Sequence, residues 1–298
     1  MRPLRALGAG LILALSLVWP GPARAETPLE AFVSIAPQKY FVHKIGGPLV
    51  RASVMVPAGA SPATYEPRPQ QMAALARARL YLAIGVPFEQ AWLPRIAAAN
   101  RSMQVVHTEA GIERQAMAAH DHEEGQAKEH EHEHGPGLDP HVWLAPRLVM
   151  IQAAAIRRAL VEAAPEQRAA FEANAAAFQA ELASLDAELK AAFQGLGGRN
   201  NLMVFHPAWG YFAEAYGLKQ IAIEQEGKEP GARGLKRLIE QARALDVKVI
   251  FVQPQFSSRQ AEAIAQSVGA KVIPIDPLAE DWTENLRRVA GTIRQALK

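Results

Sequence analysis

The segment PEQRAAFEANAAAFQAELASLDAELKAAFQGL, residues 165–196, decides the architecture. Phe171, Phe178, Leu182, Leu185, Leu189 and Phe193 recur in it at spacings of 7, 4, 3, 4 and 4, with Pro165 at the start and Gly197-Gly198 just past the end. That period is the apolar face of one amphipathic helix, opened by a residue that tolerates the first helical turn and stopped by two glycines. At 1.5 Å per residue the helix would measure on the order of 45 Å, enough to run the height of a two-lobed protein as a connecting strut. A strut of that kind limits hinge motion.

On either side of it the pattern changes from helical to alternating. Short β-rich runs at residues 31–35, 50–56, 80–84 and 104–107 are interleaved with helix-like stretches such as 69–79. The rhythm returns after Arg199, with strands expected at 202–205, 247–252 and 271–275, helices at 235–245 and 258–268, and a terminal helix running to Lys298. Strands alternating with helices build βαβ units and parallel sheets. The expected fold is therefore α/β: two lobes with mostly parallel sheets, residues 26–164 and 197–298, joined by one long rigid helix over 165–196.

The chain opens with Arg2 and Arg5, an apolar run over residues 7–19, and Ala23-Arg24-Ala25. This reads as a secretory leader, residues 1–25, cleaved after Ala25. An apolar run of about 13 residues falls short of the roughly 20 that span a bilayer, so the mature chain is expected to be free of the membrane. Cysteine is absent, which excludes a lipid-modified cysteine, disulfides and thiolate metal sites. Removing Arg2, Arg5 and Arg24 with the leader leaves 29 basic against 30 acidic side chains, a balance that gives no support to nucleic-acid or anionic-membrane binding. A freely diffusing periplasmic protein, acting as a monomer, is the simplest reading.

Five of the nine histidines, His120, His122, His130, His132 and His134, fall in a polar His/Glu-rich stretch within residues 118–137 that ends in Gly135-Pro136-Gly137. Its composition suits metal binding, and it lacks the apolar periodicity of a packed element. The run His130-Glu131-His132-Glu133-His134 matches the H-E-x-x-H pattern of zinc proteases by letter alone. That chemistry needs a helix holding two histidines on one face, which a low-complexity stretch beside Gly135 does not offer. Neither G-x-S-x-G, nor a phosphate-cradling G-x-x-x-x-G-K-[ST], nor a thiol nucleophile is present. No catalytic role is assigned.

Two of the remaining histidines sit where ligands are usually offered. His141 lies in Asp139-Pro140-His141-Val142-Trp143, just past the Gly/Pro break. His206 follows the strand 202–205 and precedes Pro207. Asp276 has the same setting, after strand 271–275 and before Pro277. In open α/β sheets ligands bind beyond the carboxyl ends of strands, and two imidazoles with one carboxylate suit zinc. A hydrogen-bonded core histidine, or an aspartate capping a helix, is the alternative for each taken singly.

These motifs, together with Val56-Pro57, Gly59-Ala60-Ser61-Pro62 and Tyr65-Glu66-Pro67, Phe205-His206-Pro207-Ala208-Trp209 and Ile275-Asp276-Pro277-Leu278, resemble the zinc and manganese class of ABC-transporter solute-binding proteins. The resemblance covers essentially the whole mature chain. It implies two α/β lobes joined by a long helix, one metal ion in the cleft between them, and delivery of that ion to an ABC permease in the inner membrane. It also implies ligand roles for His141, His206 and Asp276. A histidine at the position of His206 and a His-rich insertion before His141 resemble the zinc members, so zinc is expected as the transported ion. One departure stands out: where the family has its first histidine ligand, this chain has Ala63. The missing ligand is then water, a histidine of 118–137, or one of Tyr65, Glu66 and His43. A metallochaperone or zinc buffer, or a binding protein for manganese or another metal, is the alternative function.

Overall fold

The computed structural model describes residues 27–117, 137–224 and 228–298, so the expected leader and the five histidines of the 118–137 stretch lie outside the described residues. The first lobe runs β1 (Leu29–Val33), α1 (Ala36–Gly46), β2 (Val50–Val54), α2 (Pro69–Ala74), β3 (Leu80–Ala83), α3 (Pro87–Ala99) and β4 (Gln104–His107). Two helices follow, α4 (Pro146–Ala163) and α5 (Arg168–Ala192). The second lobe runs β5 (Asn201–Val204), α6 (Gly210–Ala215), β6 (Lys219–Ala222), α7 (Ala232–Ala244), β7 (Val249–Val252), α8 (Arg259–Val268), β8 (Lys271–Pro274) and α9 (Trp282–Ala296).

Among the described residues the strands form two four-stranded sheets, ordered β2-β1-β3-β4 and β6-β5-β7-β8, and every pairing is parallel. The same order appears twice, with the first strand of each lobe between the second and third. Each sheet therefore has a switch point, where neighbouring crossovers leave in opposite directions and a crevice opens at the strand ends. The central strand β5 of the second sheet is covered on both faces. Leu202 and Val204 of β5 join one apolar cluster and Met203 and Phe205 the other, as the two-residue period of a strand requires.

Helix α5 is the strut read from the sequence, and Phe171, Phe178, Leu182, Leu185, Leu189 and Phe193 are all buried. Its helical body of 25 residues is about 37 Å long, because residues 165–167 form a separate 3-10 turn and the helix stops before Phe193. The strut does not act alone: α4 packs along it, and both contribute to a cluster that takes in the first sheet and the inner face of the second. Polar contacts repeat the theme. Glu181 of α5 accepts hydrogen bonds from Lys44 (2.7 Å) and Tyr40 (3.1 Å) of α1 and from Thr283 (3.2 Å) of α9. Burial opposes charge on Glu181, but the Lys44 ammonium and the two hydroxyls outweigh it and hold the carboxyl below its ordinary range.

Candidate metal centre

The second sheet delivers polar side chains to one edge. His206 comes two residues after β5, Glu224 two after β6, Gln253 directly after β7 and Asp276 two after β8. The backbone of His206 is clamped by Gln253, whose Oε1 accepts from His206 N and whose Nε2 donates to His206 O, both at 3.0 Å. Its imidazole stacks on Phe256, with centroids 4.5 Å apart and planes at 22°, and its Nδ1 meets Glu224 Oε2 at 3.0 Å. Burial holds the His206 imidazole below its ordinary pKa; the neighbouring His141 adds to that, and the Glu224 carboxylate only partly opposes it.

His141 arrives from the other lobe on a tight turn. Asp139 Oδ1 accepts both from the His141 backbone N (2.9 Å) and from its Nδ1 (2.7 Å), so one carboxylate shapes the turn and orients the ring. The turn is docked on the second lobe: Tyr211 donates to Asp139 O (2.9 Å), Trp143 Nε1 to Pro277 O (2.7 Å), and Trp282 Nε1 back to Trp143 O (2.8 Å). A Cβ at Gly210 would stand 2.8 Å from Asp139 Oδ2, so a larger residue there would make the Asp139 carboxylate shift.

The two rings meet nitrogen to nitrogen. His141 Nε2 and His206 Nε2 are 3.3 Å apart, from residues separated by 65 positions in the chain. Asp139 and Glu224, 3% and 5% exposed, are shielded from water, and an ionised carboxylate only accepts hydrogen bonds. Each Nδ1 therefore carries the proton, and on neutral rings each Nε2 turns a bare lone pair toward the other. That arrangement repels itself unless a cation lies between. Two zinc–nitrogen bonds of about 2.0–2.1 Å at a tetrahedral angle put the nitrogens roughly 3.3–3.4 Å apart, which is the separation seen. Carboxylates on the far nitrogens of ligating histidines are a recurrent arrangement at metal sites.

The sequence profile described as zinc-uptake complex component A, periplasmic, matches residues 32–296. The chain belongs to that family. The fold is close to that of a solved ZnuA, with a TM-score of 0.85 and 46% identity over 91% of this chain and 100% of that one. It is nearly as similar to a ZnuA deletion mutant solved with zinc bound, at 0.83 and 44% over 91% and 99%. The high-affinity zinc uptake system protein ZnuA of Bacillus subtilis is 29% identical over 257 residues, 84% of this chain and 78% of that protein. Several curated relatives are longer, and the chain spans about half of their length, 56% for two streptococcal zinc-binding lipoproteins.

The other residues singled out from the sequence of this family member are placed differently. Asp276 stands on the same sheet edge, and its Oδ1 accepts from Gln255 Nε2 and from Leu278 N, each at 2.9 Å. Among the described residues no group of three or more His, Asp or Glu converges as a ready-made metal cage, so Asp276 does not close on the imidazole pair here. Tyr65 donates its phenol to Gln71 Oε1 at 2.6 Å, and Gln71 in turn donates to Met55 O. Glu66 and Ala63 are exposed on the loop after β2, and His43 is exposed on α1. Sequence reading missed the orienting residues. Asp139 was part of a recognised motif without a role, and Glu224 follows β6, a strand too short and too polar at Lys219 and Gln220 to stand out.

Proposed function

We propose that this chain captures zinc in the periplasm and delivers it to an ABC permease in the inner membrane. His141 and His206 bind the ion through Nε2, and Asp276 joins them when the cleft tightens. The remaining position belongs to water or to a histidine of residues 118–137, whose His120, His122, His130, His132 and His134 serve as auxiliary collectors. Lobes 26–164 and 197–298 on the strut 165–196 present a surface from both sides of the cleft to the permease. Residues 1–25 direct export, and the carrier works as a monomer without catalysing a reaction. The observation that carries this reading is the 3.3 Å approach of two Nε2 atoms whose Nδ1 atoms are held by buried carboxylates.

Calorimetric titration of the full chain with zinc and with manganese tests it. One tight zinc site with weaker manganese binding is expected; manganese binding as tight as zinc would overturn the choice of ion. The pH dependence follows from proton competition for imidazole. Zinc binding should hold at pH 7.5 and weaken as pH falls below about 6.5. The depressed pKa of His206 delays its own protonation, so the decline should continue well below that value. Equal zinc affinity at pH 5 and pH 7.5 would rule out imidazole coordination.

A further inference from the structure

Residues 253–256, Gln253-Pro254-Gln255-Phe256, follow β7 and supply neither imidazole nor carboxylate, yet they touch both second-lobe groups named above as ligands. Gln253 clamps the His206 backbone, Phe256 stacks on its ring, and Gln255 Nε2 donates to Asp276 Oδ1. Leu278 N donates to that same oxygen, so Oδ1 carries two donors at 2.9 Å. Two donors fill the lone pairs that a carboxylate oxygen offers in its plane. Gln255 Oε1, by contrast, is buried with no hydrogen-bond partner among the described residues. Among the described residues it is Asp276 that orients the amide, since the opposite orientation would set its oxygen against the carboxylate. A side chain that buries an unpaired carbonyl in order to hold a carboxylate is poorly explained by packing.

We propose that Gln255 is a positioning residue for metal selectivity: by occupying Asp276 Oδ1 it leaves only Oδ2 for the ion. The inference rests on the reading of Asp276 as a ligand. A carboxylate binding through one oxygen adds a single ligand to two imidazoles and keeps the coordination number low, as zinc prefers. A chelating carboxylate adds two oxygens and favours the octahedral, oxygen-rich shell of manganese. Gln255 therefore disfavours manganese without touching either metal.

The test is Gln255→Leu in the full chain, which removes the donor at similar volume. Zinc and manganese dissociation constants at the tightest site are read by chelator competition, and the zinc shell by X-ray absorption fine structure. The zinc-over-manganese preference should shrink roughly tenfold, mainly through tighter manganese binding. The zinc shell should gain one light scatterer. In an Asp276→Asn background the same substitution should change the preference by less than about twofold, because there is no second carboxylate oxygen to release. If Gln255→Leu leaves preference and shell unchanged while Asp276→Asn weakens zinc binding, the role of Gln255 is overturned and the ligand reading stands. If Asp276→Asn leaves zinc affinity unchanged, the ligand reading itself fails. Should Gln255→Leu not fold, Gln255→Asn, whose amide is one methylene short of Asp276, reads the same two quantities.

Discussion

The two lobes share a strand order but use their strand ends in opposite ways. In the second lobe the residues beyond β5, β6, β7 and β8 are His206, Glu224, Gln253 and Asp276, a row of polar groups along one sheet edge. In the first lobe the corresponding edge is turned inward. Ser34, after β1, donates to Glu89 Oε1 at 2.5 Å and pairs with Tyr81 at 2.9 Å, while the backbone N–H groups of Ile84 and Gly85 donate to the same carboxylate. Burial pushes the Glu89 carboxyl above its ordinary range, and those three donors only partly offset it. On the loop after β2, residue 63 is an alanine, whose methyl group cannot coordinate a metal. The first lobe contributes its imidazole from the turn at Asp139 instead. One fold thus separates support from chemistry: an edge closed by its own hydrogen bonds is a scaffold, and an edge left with polar groups to spare is a site.

Substitutions at equivalent places should break or sharpen that contrast. His206→Ala should weaken zinc binding by about a hundredfold or more, since it removes one of the two paired nitrogens, as competition with a zinc chelator will read. Glu224→Gln keeps the shape but exchanges a pure acceptor for a group that can also donate. A loss of roughly ten- to a hundredfold in zinc affinity is expected, with the thermal midpoint of the metal-free chain lowered only modestly. An unchanged affinity would mean that the carboxylate does not orient the ring. Ala63→His should act in the other direction, restoring an imidazole to the first lobe and tightening zinc binding by about tenfold. No gain would place residue 63 out of reach of the ion.

The smallest effect on zinc is expected for the scaffold edge. Glu89→Ala should cost about 1–3 kcal/mol of stability, because it strands buried donors, while zinc affinity stays within about twofold. Denaturant unfolding of the metal-free chain measures the first and chelator competition the second. A large loss of zinc affinity without loss of stability would erase the distinction between the lobes. The linkage signs also differ. His206, with its pKa depressed, contributes stability to the metal-free chain that is lost as pH falls below its ordinary value toward the depressed one. Glu89, with its pKa raised, favours the folded state more as pH falls toward the ordinary carboxyl range.

Much of the architecture was legible because it obeys short periods. The face of α5 repeats over seven turns, and His206-Pro207 and Asp276-Pro277 announce themselves as strand ends followed by a residue that cannot extend a strand. Other features were hidden for physical reasons. Strand β6 has four residues with Lys219 and Gln220 in half of them, and nothing in that composition separates it from a loop. The pairing of α4 with α5 is a property of packing, not of either pattern. The central feature, one imidazole nitrogen against another across 65 positions, has no local signal at all. Nor does the role of Gln255, which depends on a hydrogen bond to a strand end 21 residues away.

The parallel pairing of both sheets has one further consequence, for the order in which the molecule comes into being. Parallel neighbours are never joined by a tight hairpin, so every ladder must wait for a crossover to close, and such non-local topologies fold slowly. The second lobe is synthesised last, with His206, Glu224 and Asp276 all beyond the strut. A nascent chain can complete its scaffold edge while it still lacks most of the polar groups of the second sheet edge. On the proposed ligand set, a chain without its second lobe holds only one imidazole of the pair and would not compete for metal through this site.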